Sequence, residues 1–164
     1  MPRSCILGAT LLLGCAPAGP AATDGVARFI NPPGLSKPTG YTHVVVAPDR
    51  RTVHIAGQVA VDSTGAIVGE GDFRRQTEQV FANLRTALGS VGGTFADLLK
   101  TTTYVTDLSQ LAALREIRTG YLDSTHPPAS TLVQVSQLAR PEYLIEIEAI
   151  AVLPDSVAGA RLAR

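Results

Sequence analysis

The chain has 164 residues with 14 basic and 14 acidic side chains, so its formal charge is zero; 45% of its residues are hydrophobic and only 5% aromatic. That is one domain's worth of sequence with enough apolar material for a core, and it has no basic excess that would favour nucleic acid as a partner. Both cysteines, Cys5 and Cys15, fall near the N-terminus and cannot staple a domain, while His43, His54 and His126 lack ligand spacing, so neither a metal nor a cofactor is expected.

Residues 1–14 read as a signal peptide: Arg3 supplies a short basic region, and an apolar run from Cys5 to Leu13 follows. The run is too short for a permanent span, which needs about 20 apolar residues, but has the length of a signal-peptide core. Leu12-Leu13-Gly14-Cys15 resembles the lipobox of bacterial lipoproteins. That resemblance implies cleavage before Cys15, lipid on its thiol and on the freed amine, and a domain facing the periplasm or cell exterior. The alternatives are a generic secretory signal, or a mis-assigned start codon ahead of a cytoplasmic protein. Residues 15–25, rich in Pro, Gly and Ala, form a flexible tether with nothing to pack. Acyl chains on that cysteine would be the only membrane contact.

The domain is expected over residues 26–154, with 155–164 as a tail. Asn31 to Gly40 is an irregular approach rich in Pro and Gly, and Tyr41 to Ala47 is the first strand. Pro48-Asp49-Arg50-Arg51 makes a turn into a second strand, Thr52 to Asp62. There Val53, Ile55, Gly57, Val59 and Val61 alternate with Thr52, His54, Ala56, Gln58 and Ala60. The period then becomes helical: Phe73, Val80, Phe81, Leu84, Leu88 and Val91 make one stripe, Asp72 can cap its start and Gly92-Gly93 end it. Thr94 to Leu99 is a short helical turn and Lys100 to Val105 a strand. A second helix opens at Asp107 or Ser109 with the stripe Leu111, Leu114, Arg118, Tyr121 and Leu122. Pro127-Pro128 stops it and leads into a strand from Ala129 to Val135.

The last strand is the most informative. Ile145, Ile147, Ala149 and Ala151 alternate with Glu146, Glu148, Ile150 and Val152, which puts two carboxylates on one face beside apolar neighbours. Glutamate is uncommon in strands and costly to bury unpaired, so this face belongs to an interface or a pocket. The order β-β-α-β-α-β-β predicts an α+β fold with right-handed crossovers that lay both helices on one face of a mixed sheet. The other face carries too much apolar surface for water and is expected to pack on copies of the chain.

Ala56-Gly57-Gln58, Gly40-Tyr41 and the segment from Pro128 to Leu153 are similar to motifs of the Rid family (YjgF/YER057c/UK114, RidA-like), in the family's order. The resemblance implies a chorismate-mutase-like homotrimer with ligand clefts between subunits and an activity of enamine/imine deamination. It assigns Tyr41 and Gly57 to binding a small molecule and Glu146 to orienting water. Two positions depart from the pattern. Ser130 stands where the family's deaminases have an arginine, and Arg115 stands in place of a second-helix asparagine. Hydrolysis of a 2-imino acid needs its carboxylate gripped, preferably by a guanidinium fork, which one serine hydroxyl cannot supply. Arg115 is the evident stand-in. Two functions follow as expectations: a hydrolase of small imines or related C–N compounds other than the usual 2-imino acids, or a non-catalytic trimer that binds a small metabolite.

Overall fold

A computed structural model of the chain describes residues 27–39, 41–47 and 51–154. The expectations for the signal peptide, Cys15, the tether, Gly40, Pro48 to Arg50 and the tail lie outside the described residues. The elements are β1 (Arg28–Ile30), β2 (Val44–Val46), β3 (Thr52–Gln58), α1 (Phe73–Ser90), β4 (Leu98–Val105), α2 (Leu111–Arg118), β5 (Ala129–Gln134) and β6 (Ile145–Val152). They form one mixed sheet in the order β1-β2-β3-β6-β4-β5, in which only β4 and β5 are parallel. Both helices lie on one face, as expected. β6 sits centrally because its alternation lets Ile145, Ile147, Ala149 and Ala151 enter the core under the helices.

Helix α1 forms where its period places it. Phe73, Val80, Phe81, Leu84, Leu88 and the following Val91 are all buried, and the Asp72 carboxylate accepts from the Arg75 amide at 3.1 Å. Gly92 adopts a φ of 80°, and the Gly93 amide reaches the Leu88 carbonyl at 2.9 Å, closing the helix end. Polar groups are also buried on this helix. Gln76 donates to the carbonyls of Gly69 (3.2 Å) and Glu142 (2.8 Å) and accepts from the Leu144 amide (2.9 Å). Asn83 donates to the Val59 and Val61 carbonyls at 3.0 and 2.9 Å. The helix thus holds the entry to β6 with one amide and the exit from β3 with another.

Four expectations are corrected. A strand precedes the first one expected: Arg28–Ile30 pairs with Val44–Val46, too short a segment to leave a periodic signal. The second expected strand ends at Gln58, and its alternation breaks there. Val53 and Ile55 are buried, but so are Gln58 and Ala60, because an extra residue enters β3 between them. The second helix opens as a 3-10 turn at Leu108–Gln110 behind Asp107, whose carboxylate accepts from the Ser109 amide, and becomes α-helical only at Leu111. It ends at Arg118, which is exposed rather than part of an apolar stripe. Tyr121 and Leu122 still pack on the core beyond the helix, with the Tyr121 ring stacked on Phe81 at 4.6 Å between centroids.

On the sheet face away from the helices, His54, Ala56, Lys100, Thr102, Tyr104, Glu148 and Ile150 are exposed or only partly covered within the single chain. Among the described residues no helix is long and apolar enough to cross a membrane.

Candidate functional site

The first half of the site is built by the irregularity in β3. Ile55 pairs with Ala149, whereas Gln58 pairs with Ile147, so three steps along β3 match two along β6. The bulge at Ala56-Gly57 brings the β3 backbone up to Glu146. A Cβ on Gly57 would lie 1.8 Å from Glu146 Oε1 and 3.0 Å from its Cγ. What Gly57 provides is room, and the carboxylate lies across it. Burial raises the Glu146 pKa above the usual carboxylate range, and the charge of Glu148 two residues on raises it further. Gly57→Ala, which pushes the carboxylate off this shelf toward water, is expected to lower the Glu146 pKa back toward the ordinary range. Carbon NMR titration of the carboxyl reads the change, and an unchanged pKa would mean that the desolvation has another source.

Tyr41 belongs to the same neighbourhood. Its pKa is raised first by burial, with a Ser36 hydrogen bond opposing and the charges of Tyr143 and Glu146 adding. Its ring stands edge-on to His43, 5.1 Å between centroids. His43 is itself fixed: its Nδ1 accepts from Gln58 Nε2 at 3.3 Å, so the Nε2–H donates to the Ser36 carbonyl at 2.9 Å. Tyr104 stands opposite Glu146 in the β4–β6 pair and reaches Glu148 Oε1 with its hydroxyl at 3.5 Å. The Glu148 charge is the main reason its phenol pKa is raised. Tyr104 does not stand out in the sequence, because its proximity to the glutamates depends on register across the sheet.

The second half lies on the other face. Thr101 and Thr103 turn toward the helices with Ile147, and Ser130, paired with Thr101, turns the same way. Between these strands and α2 is a cavity of about 150 Å³, lined by Thr101, Thr103, Ser130, Leu132 and the two arginines Arg115 and Arg118, among others. Its floor is apolar (Leu114, Leu132, Ile147) and its wall carries hydroxyls; Thr101 Oγ1 donates to Ser130 Oγ at 3.5 Å.

The expected site residues therefore divide. Tyr41, Gly57 and Glu146 come together at the bulge, Ser130 and Arg115 come together under α2, and the sheet separates the two groups within one chain. His126 is a loop residue 3.6 Å from Asp123 and joins neither. Among the described residues no cluster of His, Cys, Asp and Glu could hold a metal ion.

Two helices on one face of this mixed sheet define a chorismate-mutase-like α+β protein of the YjgF type. RidA from the Antarctic bacterium Psychrobacter sp. superimposes with a TM-score of 0.70 at 30% identity, covering 77% of this chain and 99% of that one. The family model described as Endoribonuclease L-PSP matches residues 35–153. This chain belongs to that family, the YjgF/RidA group. It is 38% identical to a RutC family protein of Pyrococcus horikoshii over 117 residues, 70% of this chain and 89% of that protein. It is also similar to the 2-iminobutanoate/2-iminopropanoate deaminase of Rattus norvegicus, at 32% identity over 110 residues, 66% of this chain and 79% of the rat protein.

Proposed function

We propose that this chain is a Rid-type hydrolase of small anionic imines, acting in clefts between the subunits of a homotrimer, exported and held at a membrane by lipid on Cys15. The observation that carries the chemistry is the Glu146 carboxylate, desolvated over Gly57 with its pKa raised. A carboxylate so tuned is a better base than an exposed one. It takes a proton from water as the water oxygen adds to the imine carbon, and the C=N electron pair goes to nitrogen, which picks up a proton. The carbinolamine then collapses: its hydroxyl proton passes by way of Glu146 to nitrogen, the C–N bond breaks, ammonia leaves and a 2-oxo acid remains. Assembly is part of the proposal because the two half-sites lie on opposite faces of one chain's sheet and need a neighbouring copy to meet. Light scattering tests the trimer, and the intact mass of membrane-extracted protein tests the anchor; a species that keeps Met1 would sink it.

The test of catalysis couples two readouts. Imines generated in situ from alanine and from glutamate by an amino acid oxidase are followed by ammonia release. Activity is expected to fall as pH drops through the raised Glu146 pKa, and Glu146→Gln to lose on the order of a hundred-fold. Stability moves oppositely. A carboxyl whose folded pKa is raised contributes stability below its unfolded pKa and loses it as pH rises through the folded one. Glu146→Gln is therefore expected to be more stable than the unaltered protein at neutral pH, with the difference vanishing in acid. A variant equally active at all pH values would remove Glu146 from the chemistry. The second reading, a binding module without turnover, is favoured by one observation, the serine at position 130. It predicts binding of 2-oxo acids with no ammonia release from either imine above the uncatalysed rate.

A further inference from the structure

The cavity under α2 is more cationic than a site for a single carboxylate requires. Arg115 and Arg118 are three residues apart on one helix, so they stand on the same face within about 6 Å of each other at Cβ, and both line the cavity. Neither has a carboxylate partner among the described residues. The one acid of α2, Glu116, is committed elsewhere: its two oxygens accept from Arg74 Nη2 and Nη1 at 2.7 and 2.9 Å. On the opposite wall Thr103 is 7% exposed, and its hydroxyl has no hydrogen bond within the described residues. Ser130 adds a second small donor there. Two unpaired guanidiniums, hydroxyl donors and an apolar floor recognise anionic charge at two points around a short carbon skeleton. The volume, about 150 Å³, is below the roughly 300–1,000 Å³ of sites for drug-sized ligands.

We propose that Arg115 and Arg118 form a two-point anion clamp and that the ligand of this cleft is a small dianion, such as a dicarboxylic 2-oxo or 2-imino acid. The inference rests on the reading of this cavity as the ligand cleft, and is independent of turnover. It accounts for the serine at position 130: charge supplied from α2 leaves the β5 position to a hydroxyl that widens the cavity and donates to the ligand.

Calorimetric titration of the full chain with 2-oxoglutarate, 2-oxobutyrate and phosphoglycolate tests it. The dicarboxylate is expected to bind at least about ten-fold more tightly than the monocarboxylate. Arg118→Gln should weaken 2-oxoglutarate on the order of ten- to a hundred-fold while moving 2-oxobutyrate little. Arg118→Lys separates this from a merely structural role. Lysine keeps the positive charge favoured at a helix C-terminus and should preserve the melting temperature, yet it lacks the fork and should not restore affinity. Phosphoglycolate binding as tightly as 2-oxoglutarate upholds the clamp and extends it to phosphate esters; weaker phosphoglycolate binding upholds it and confines it to dicarboxylates. Equal affinity for the mono- and dicarboxylate, or a preference that survives Arg115→Gln with Arg118→Gln, overturns the clamp and leaves the ligand cleft standing. Binding of none of the three overturns both.

Discussion

Gln76→Met is expected to destabilise the domain by about 3 kcal/mol or more, read as a lower urea midpoint at unchanged slope. Methionine has nearly the same length and reach, so it keeps most of the packing of a side chain that is wholly buried. What it removes are three hydrogen bonds, to the carbonyls of Gly69 and Glu142 and from the amide of Leu144. The Gly69 carbonyl keeps its bond from the Asp72 amide, so the Glu142 carbonyl and the Leu144 amide are the groups left without a partner, at about 1–3 kcal/mol each, a large share of the roughly 5–15 kcal/mol that holds an ordinary domain together. A loss below about 1 kcal/mol would mean that water or a shifted loop replaces the amide. The change also has a functional reach. Leu144 is two residues before Glu146, so releasing its amide loosens the strand end that lays the carboxylate over Gly57. Asn83 acts on the other partner of that contact, holding the carbonyls of Val59 and Val61 just past the bulge.

These two amides show where the sequence is legible and where it is not. The apolar stripe of α1, its Asp72 cap and its glycine end were all readable, because each depends on residues within one or two turns of one another. The alternation of β6 was readable for the same reason, and with it the placement of Glu146 off the core face. Gln76 and Asn83 look like solvent-facing residues in a helix. Their partners are backbone groups 66 and 24 residues away, and nothing in a periodic pattern reports a long-range hydrogen bond. The bulge at Gly57 escaped the period for a related reason: an extra residue in β3 is visible only against the register of β6. The Ala56-Gly57-Gln58 motif marks the position in the sequence, but its physical reason, room for the Glu146 carboxylate, lies in a contact across two strands. Helical spacing continues through Arg118 and places it on the apolar stripe; the helix ends there, and the residue is exposed at the mouth of the cavity beside Arg115.

Ser130→Arg is expected to raise hydrolysis of monocarboxylate imines such as 2-iminopropanoate, but strongly only when combined with Arg115→Asn. A positioned guanidinium on a substrate carboxylate is worth about 2–5 kcal/mol when the alternative is an unpaired buried charge, on the order of thirty-fold to several-thousand-fold in rate if it is felt in the transition state. Position 130 points a side chain into the same cavity that Arg115 and Arg118 line, opposite Thr101. A third guanidinium placed there alone meets two others with no acid of the same chain between them, and like charges disfavour the ordered fork that a single carboxylate needs. Replacing Arg115 by asparagine relieves part of that repulsion and restores a neutral donor on the helix. The double variant is therefore expected to exceed the single one by at least about ten-fold in kcat/KM, and to lose the preference for dicarboxylates at the same time. Equal gains in the single and double variants would show that Arg115 does not reach the grafted group. If neither variant gains activity while both still bind 2-oxo acids, Glu146 is not positioned for chemistry and the binding module becomes the better description. Where the double variant does gain activity, a further Glu146→Ala substitution should abolish the gain, because the grafted arginine only holds the substrate and leaves the activation of water to the carboxylate.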